Sequence, residues 1–211
     1  MPKVFDERWL VYLDDALLVL DKPSGLLCQP GLGVDLSDSL ISRVKQRWPQ
    51  AQLVHRLDRD TSGLILVALA PTLHRELSRL FAERQVQKRY VADVQGVPER
   101  SDGVIALPIA KRQHRPPLYG VDSAGKPCLT AWRVLRQNGA CSRLVLTPRT
   151  GRSHQLRVHL QAIGYPIVGD PLYGHAADRL HLHAGILSFR PPGSRQRLTF
   201  KSPCPFDLPM S

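Results

Sequence analysis

The 211-residue sequence lacks long apolar runs and is poor in cysteine, aromatic and acidic residues. No stretch approaches about 20 consecutive apolar residues, so we expect no transmembrane helix. The first 15 residues carry charges of both signs and lead into no apolar stretch, which argues against a signal peptide. Hydrophobic residues make up 43% and charged residues 22%, the balance of an ordinary globular chain. We therefore expect a folded cytoplasmic protein.

The scarce cysteines are far apart and include no C-x-x-C pair, so they lack the spacing of zinc ligands. We expect them to be reduced thiols. His181 and His183 would share a strand face, but no third ligand lies near them at a clear spacing. The sequence therefore predicts no metal site and no disulfide. The cysteines are Cys28, Cys128, Cys141 and Cys204.

Acidic residues are outnumbered by basic ones, with 18 Asp and Glu against 29 Lys and Arg, which gives a net charge of +11. No acidic residue occurs from Ser123 to Gly169, a stretch that contains seven lysines and arginines. Such a positive field favours a polyanionic partner. A generic basic protein is the alternative. A membrane surface is less favoured, because no basic amphipathic helix stands out.

The hydrophobic pattern predicts short strands and three helices dispersed along the chain. We expect the helices to begin after or at Ser37, Pro71 and Ser153, and the third to end at Gly164. Because strands and helices do not alternate regularly, a doubly wound parallel sheet is not expected. The prediction is an α+β fold in one domain, 1–211, with a mixed, largely antiparallel sheet and flanking helices. Predicted helices are 37–48, 71–84 and 153–163, and predicted strands are 9–13, 16–20, 63–70, 89–94, 129–135, 143–147, 180–189 and 197–200.

Chemistry-bearing residues are most concentrated in the stretch HRLDRDTSG, a polar segment that leads into the apolar strand near Leu64. One carboxylate, Asp58, is flanked by Arg56 and Arg59, and neighbouring guanidinium groups favour its ionised form. An ionised carboxylate suits a nucleophile or a general base. The alternative is a surface loop that carries ion pairs.

A second polar cluster, TGRSHQLR, opens the third predicted helix. Helix amino termini attract phosphates and carboxylates, and Arg157 lies one turn into the helix, where it could reach an acid. Arg152 and His154 lie at the start of the same segment. The alternative is an amphipathic helix with a solvated basic side.

Two further basic segments could contact nucleic acid. Tyr90 follows Lys88 and Arg89, and an aromatic side chain there could stack on a base, although a core tyrosine is the alternative. The stretch 111–117 is predicted to be a basic, proline-interrupted loop. It could touch phosphates, or it could be a solvated loop. Its basic residues are Lys111, Arg112 and Arg115.

Together these segments resemble the RluA-type pseudouridine synthases. The blocks HRLDRDTSG, KRYVADV, TGRSHQLRVH and GDPLYG occur in the family's order, flanked by KPSG and LHLHAGILSF, and the resemblance extends from about Trp9 to Lys201. The short length and PQAQLVHRLD are most similar to the branch that acts on both ribosomal and transfer RNA. Ser153 stands where most relatives have Thr. Only eight residues precede Trp9, so we expect no amino-terminal RNA-binding module.

The resemblance implies a role for each matching residue. Asp58 is the expected catalytic aspartate, Tyr90 stacks on the target base, Arg157 pairs with Asp58, and Arg56 helps to displace the target nucleotide. The implied reaction converts uridine to pseudouridine in RNA, and because it involves no redox change or phosphate transfer, no cofactor is expected. We expect the enzyme to be a monomer. The implied fold is the pseudouridine synthase catalytic domain. Residues expected to contact the RNA are Arg56, Lys111, Arg112, Arg115, Arg152 and His154.

Two other functional classes fit parts of the pattern. A non-catalytic RNA-binding factor in ribosome assembly would need the basic surface but not Asp58. An RNA glycosidase would need a positioned water and usually a second carboxylate, for which Asp60 is the nearby candidate.

Overall fold

Residues 4–31, 33, 36–114, 117–191 and 193–208 are described by a computed structural model, which groups the chain into two compact units. Unit 1 comprises the residues up to Gln87 and Ala184–Pro203. Unit 2 comprises Lys88–His183 and the residues from Cys204 onward. The single catalytic domain expected from the sequence stays a prediction. No helix among the described residues is long and apolar enough to cross a membrane.

Unit 1 is built on a sheet whose strands follow the order β1-β2-β4-β11, with β3 beside β4 and β12 beside β11. The pairs β1–β2, β2–β4, β3–β4 and β11–β12 are antiparallel. The hairpin of β1 and β2 and the buried strand β4 were both predicted. The strands are β1 (Leu10–Leu13), β2 (Leu17–Lys22), β3 (Gln52–Leu53), β4 (Ser62–Ala68), β11 (Leu182–Phe189) and β12 (Leu198–Lys201).

The helix α2 (Pro71–Ala82) packs on one face of this sheet, as its sequence predicts. Pro71 occupies its first turn, where the missing N–H costs nothing. Leu77 and Leu80 are buried in a cluster with Leu64 and Leu66 of β4. These apolar side chains recur at helical spacing, so burial of one stripe holds the helix on the sheet.

The helix α1 (Leu40–Val44) is shorter than the predicted 37–48, and Ser39 rather than Ser37 caps it. The Ser39 hydroxyl accepts the N–H of Ser42, and the Ser42 hydroxyl accepts the N–H of Ser39. After Val44 the chain continues in turns up to Trp48. Pro49 disfavours helical backbone at Trp48, so it explains why the turns stop there but not why the helix ends at Val44.

Unit 2 contains an antiparallel sheet in the order β5-β10-β9-β6 and a separate hairpin of β7 and β8. One sheet face packs against the helix α3 (Gln155–Ala162), whose Leu156 and Leu160 join a cluster with Leu144 and Leu146. The strand β6 was not predicted. The strands are β5 (Gln87–Gln95), β6 (Asp102–Ile105), β7 (Ile109–His114), β8 (Pro117–Val121), β9 (Thr130–Gln137) and β10 (Cys141–Pro148).

The stretch predicted to be a loop at 111–117 is largely strand, and this prediction was wrong. Lys111 pairs with Tyr119 and His114 with Pro117 across the hairpin. The side chains from Lys111 to His114 are all exposed, so the segment has no apolar alternation that would mark a strand. Arg115, predicted to contact RNA, lies outside the described residues.

The observed architecture is therefore the predicted α+β fold. Every strand pair given above is antiparallel, and the helices flank the sheets of their own units.

Candidate active site

The segment 54–61 of unit 1 has no regular secondary structure and connects β3 with the buried strand β4, as the sequence predicted. Asp58 is half-buried in this loop, whereas Arg56 is exposed. The N–H of Thr61 donates to the carbonyl of Asp58 at 3.2 Å, which closes a turn around the carboxylate-bearing residue. We call this segment the Asp58 loop.

Lys22 anchors the Asp58 loop from the end of β2. Its ammonium group is fully buried and donates to three carbonyl oxygens, those of Pro23, Leu26 and Arg59, each at 2.8 Å. Three acceptors match the three donors of a lysine ammonium group. Because Arg59 follows Asp58 directly, this contact fixes the backbone on one side of the carboxylate.

Cys28 and Ser24 anchor the same loop at two further points. The Cys28 thiol donates to the carbonyl of Leu57 and accepts its N–H, both at 3.2 Å. Burial raises the pKa of this thiol, so it remains a protonated donor. The Ser24 hydroxyl donates to the carbonyl of Asp60 at 2.7 Å. Side chains from KPSGLLC thus hold the backbone on both sides of Asp58.

Arg59 and Asp60, the neighbours of Asp58, pair with each other. The Arg59 Nε lies 3.0 Å from Asp60 Oδ1, so the Arg59 guanidinium group is directed to Asp60. Asp60, the candidate second carboxylate, therefore has a charged partner in its own loop. The effect of the flanking Arg56 and Arg59 on the ionisation of Asp58 stays a prediction.

Gly63 explains why the motif ends in glycine. Its φ is +115°, and a Cβ atom there would lie 2.5 Å from the backbone of Ala184 in β11. Such a distance is impossible without moving one strand. Gly63 thus permits the close approach of β4 and β11 immediately after the Asp58 loop.

Tyr90 lies in β5 of unit 2, opposite Leu146 of β10. Its ring is half-buried and packs against the core cluster that α3 covers. Lys88 is on the same strand face, and a Cβ at Gly151 would lie 3.8 Å from its Nζ. Burial lowers the pKa of Lys88. The KRYVADV and TGRSHQLR blocks thus meet at this face.

Arg157 is buried in α3 and forms a bidentate ion pair with Asp170 of GDPLYG. Its Nε and Nη2 each donate to a different Asp170 oxygen at 2.7 Å. Asp170 is fully buried and also accepts the N–H groups of Leu172 and Tyr173 at 2.9 and 3.1 Å. Asp170 is not among the site residues predicted from the sequence, although the GDPLYG motif contains it. The expected pairing of Arg157 with Asp58 stays a prediction.

The start of α3 differs from the expected serine cap. His154, not Ser153, is the cap residue, and its left-handed backbone (φ 55°, ψ 15°) provides no side-chain cap. The Gln155 side chain stabilises the turn in place of a side-chain cap. Its oxygen accepts the N–H of Arg152 at 3.0 Å and the hydroxyl of Thr150 at 2.8 Å. The turn before α3 is therefore held by a buried amide, because a left-handed residue cannot present a conventional cap.

The β7–β8 hairpin brings Lys111 near this turn. Lys111 pairs with Tyr119, so the two side chains share one face of the hairpin, and the Tyr119 ring lies 5.0 Å from the ring of His154. Arg112 of the same hairpin forms an ion pair with Asp122, which directly follows β8, at 2.9 Å. Of the predicted RNA contacts in unit 2, the structure thus gathers Lys111 and His154, and Arg152 is exposed beside them.

The donor set gives no indication of a metal centre. Within the described ranges, no group of three or more His, Cys, Asp or Glu residues is placed to hold an ion.

Comparison with known proteins identifies the class. Residues 16–162 match the RNA pseudouridylate synthase family, and the chain therefore belongs to this family. It is an RNA pseudouridine synthase, an isomerase. The fold and the family expected from the sequence are both confirmed, and nothing supports the non-catalytic alternative.

The sequence is also similar to individual members of the family. It is 44% identical over 209 residues to the dual-specificity RNA pseudouridine synthase RluA of Escherichia coli strain K12, with 95% of each chain covered. The protein of the same name from Pasteurella multocida is 44% identical over 204 residues, with 93% of each chain covered. The structure of human RNA pseudouridylate synthase domain containing 1 aligns with a TM-score of 0.79 and 31% identity, over 93% of this chain and 83% of the human one.

Proposed function

We propose that Asp58 is the catalytic carboxylate of this synthase, that Tyr90 stacks on the target uracil and that Arg157 supports Asp58. The observation that carries the proposal is the anchoring of the Asp58 loop by Lys22, Ser24 and Cys28. A carboxylate held between fixed backbone points is already organised for reaction. The loop also carries the motif HRLD-x-x-TSG that the resemblance assigns to the catalytic aspartate.

The reaction requires the target nucleotide to leave the RNA stack. Flipping a base costs a few kcal/mol, which stacking on Tyr90 and displacement by Arg56 would offset. The glycosidic bond is then broken and the base is rejoined to the ribose through carbon 5. Asp58 acts as a carboxylate, by attack on the ribose, by attack on carbon 6 of the uracil or by removal of the ribose carbon-2 proton. None of these routes changes a redox state, so no cofactor is expected.

The proposed substrates are uridines in 23S ribosomal RNA, transfer RNA or both. The support is the 44% identity to the dual-specificity synthases and the resemblance to that branch of the family. Unit 2 offers a positive surface for the RNA backbone, and we propose that Lys111, Arg152 and His154 contact it near the target. Other exposed arginines among the described residues of this unit are Arg89, Arg100, Arg112, Arg133, Arg136 and Arg149.

The enzyme is further proposed to act as a monomer in the cytoplasm, where such RNA is found. Pseudouridine mapping in RNA from a strain that lacks the protein tests the substrate assignment. Loss of pseudouridine at specific ribosomal or transfer RNA positions would identify the target. An unchanged map in both RNA classes would contradict the assignment.

Substitution of Asp58 tests the catalytic assignment. We expect Asp58→Asn to lower tritium release from 5-tritiated uridine in the target RNA by more than about a hundred-fold, because an amide is neither base nor nucleophile. RNA affinity and the unfolding temperature should change little. Asp60→Asn is the matched control in the same loop, and its activity should stay within about ten-fold of wild type. Equal losses in the two variants would contradict the assignment.

A further inference from the structure

Tyr173 of GDPLYG joins three parts of unit 2 through one side chain. Its hydroxyl oxygen accepts the N–H of Tyr119 in β8 at 3.0 Å. The same oxygen lies 2.8 Å from Nδ1 of His154, the residue before α3. Its ring lies under the guanidinium group of Arg157, which is 5.0 Å from the ring centroid. The hairpin, the turn before α3 and Arg157 therefore share this tyrosine.

The hydrogen bonds of Tyr173 are the basis for assigning the protons in this cluster. The Tyr119 N–H donates to the phenol oxygen, and we assign the Tyr173 O–H as the donor to His154 Nδ1, which lies within hydrogen-bond distance. Nδ1 then accepts, and the neutral His154 carries its proton on Nε2. In this assignment the hydroxyl of Tyr173 favours the Nε2–H tautomer of His154 and orients its ring.

The hydroxyl also anchors the strand that pairs with Lys111. Tyr119 pairs with Lys111 across the hairpin, so an anchored Tyr119 backbone anchors the strand segment that presents the Lys111 side chain. The Tyr119 and His154 rings are in edge-to-face contact at 5.0 Å. Ile109 of β7 and Val158 of α3 are buried in one apolar cluster, and Tyr119 and Tyr173 pack against it. This packing holds the base of the hairpin against α3.

We propose that Tyr173 is a positioning residue. It holds Lys111 and His154 together as one RNA-binding patch, at a fixed position relative to Arg157. This inference rests on the proposed function, in which Lys111 and His154 bind the RNA backbone and Arg157 supports catalysis. The patch recognises phosphate and ribose oxygens near the target nucleotide, through the Lys111 ammonium group and the Nε2–H of His154. The Tyr173 ring keeps its contact with Arg157 whether or not the hydroxyl is present, so the hydroxyl governs binding rather than the chemical step.

The test combines Tyr173→Phe with Lys111→Ala in a double-mutant cycle. We expect Tyr173→Phe to raise the Kd for a target stem-loop about five- to ten-fold, because the Tyr119 N–H and His154 Nδ1 both lose their hydrogen bond to the hydroxyl. The single-turnover rate at saturating RNA should stay within about three-fold of wild type, since the ring under Arg157 remains. Lys111→Ala should raise Kd in the wild-type background but have little further effect in Tyr173→Phe.

Tyr12→Phe is the matched control, because it removes a phenol hydroxyl that donates to Asp14 in unit 1 at 2.8 Å. Its Kd should equal that of wild type. On the free protein, long-range ¹H–¹⁵N NMR of the imidazole should show the Nε2–H tautomer for His154 and a mixture in Tyr173→Phe.

The outcomes separate this inference from the proposed function. If Lys111→Ala alone leaves Kd unchanged, the RNA role of the hairpin fails and the inference fails with it. A second outcome is that Lys111→Ala weakens binding while the change in Kd of the double variant equals the product of the two single changes to within about two-fold. In that case the proposed function stands and the inference is overturned. An unchanged His154 tautomer in Tyr173→Phe overturns it as well.

Discussion

Two arginine–aspartate pairs in unit 2, each with a fully buried carboxylate, permit a sharp test of how Arg157 is held. Arg157 and Asp170 are 3% and 0% exposed, and their closest contact is 2.7 Å. Arg143 and Asp93 are 17% and 0% exposed, also in contact at 2.7 Å. The chemistry of the two pairs is the same, but only the first involves a residue with a proposed catalytic role. Asp170→Asn and Asp93→Asn are therefore matched perturbations.

The stability cost follows from burial. Removing one partner of a buried ion pair costs about 3–5 kcal/mol, because the remaining charge has no compensation. An asparagine at position 170 keeps one oxygen acceptor, so we expect a cost near the lower limit, about 3 kcal/mol. For a chain of this size that lowers Tm by roughly 6–12 °C. The Asp93→Asn cost should be somewhat smaller, since Arg143 is partly solvated and also donates to the Phe206 carbonyl.

The catalytic effect should differ much more than the stability effect. Misplacing a positioned group by about 1 Å can cost a hundred-fold in rate, and we expect a loss of that order in Asp170→Asn. Asp93→Asn should stay within about three-fold of wild type, because its partners Arg143 and His181 have no role in the proposed chemistry.

The assay is single-turnover tritium release at saturating RNA, measured well below the Tm of each variant, with stability measured by denaturant unfolding. A large loss of rate in Asp170→Asn alone supports the positioning of Arg157 by Asp170. Similar rates in the two variants at matched stability would refute it.

Three further outcomes are expected. Cys28→Ala should slow the single-turnover rate at saturating RNA with little change in the Kd for RNA, and Cys28→Ser should restore the rate, because a hydroxyl can again bridge the N–H and carbonyl of Leu57; equal rates in both variants would contradict this role. Burial lowers the pKa of His159 below its ordinary value of 6.5, so the free energy of unfolding should be greatest above that pH and fall as the pH drops below it. Denaturant titrations on both sides of pH 6.5 check this, with His159→Gln expected to flatten the profile. Arg56→Ala should slow turnover of a folded stem-loop more than that of a flexible single strand, and equal losses on both RNAs would exclude a role in displacing the nucleotide.

Local pattern alone determined the elements whose burial is periodic or continuous. β4 was predicted from its apolar run, and all seven of its residues are buried. α2 was predicted from its apolar stripe and Pro71, and the end of α3 from Gly164, which has φ +86°. The motif order also sufficed to indicate the family, and it directed attention to the Asp58 loop, Tyr90 and Arg157.

Tertiary structure decided which side chains hold those residues in place. The contact of Lys22 with the Arg59 carbonyl spans 37 positions, and that of Cys28 with Leu57 spans 29. No local spacing encodes such partners, since they meet only after the strands pair. β7 escaped detection because its exposed polar side chains show no alternation. The spacing of apolar residues along the sequence indicates which positions are buried. The partner of a buried polar group, in contrast, depends on which distant segments the fold brings together.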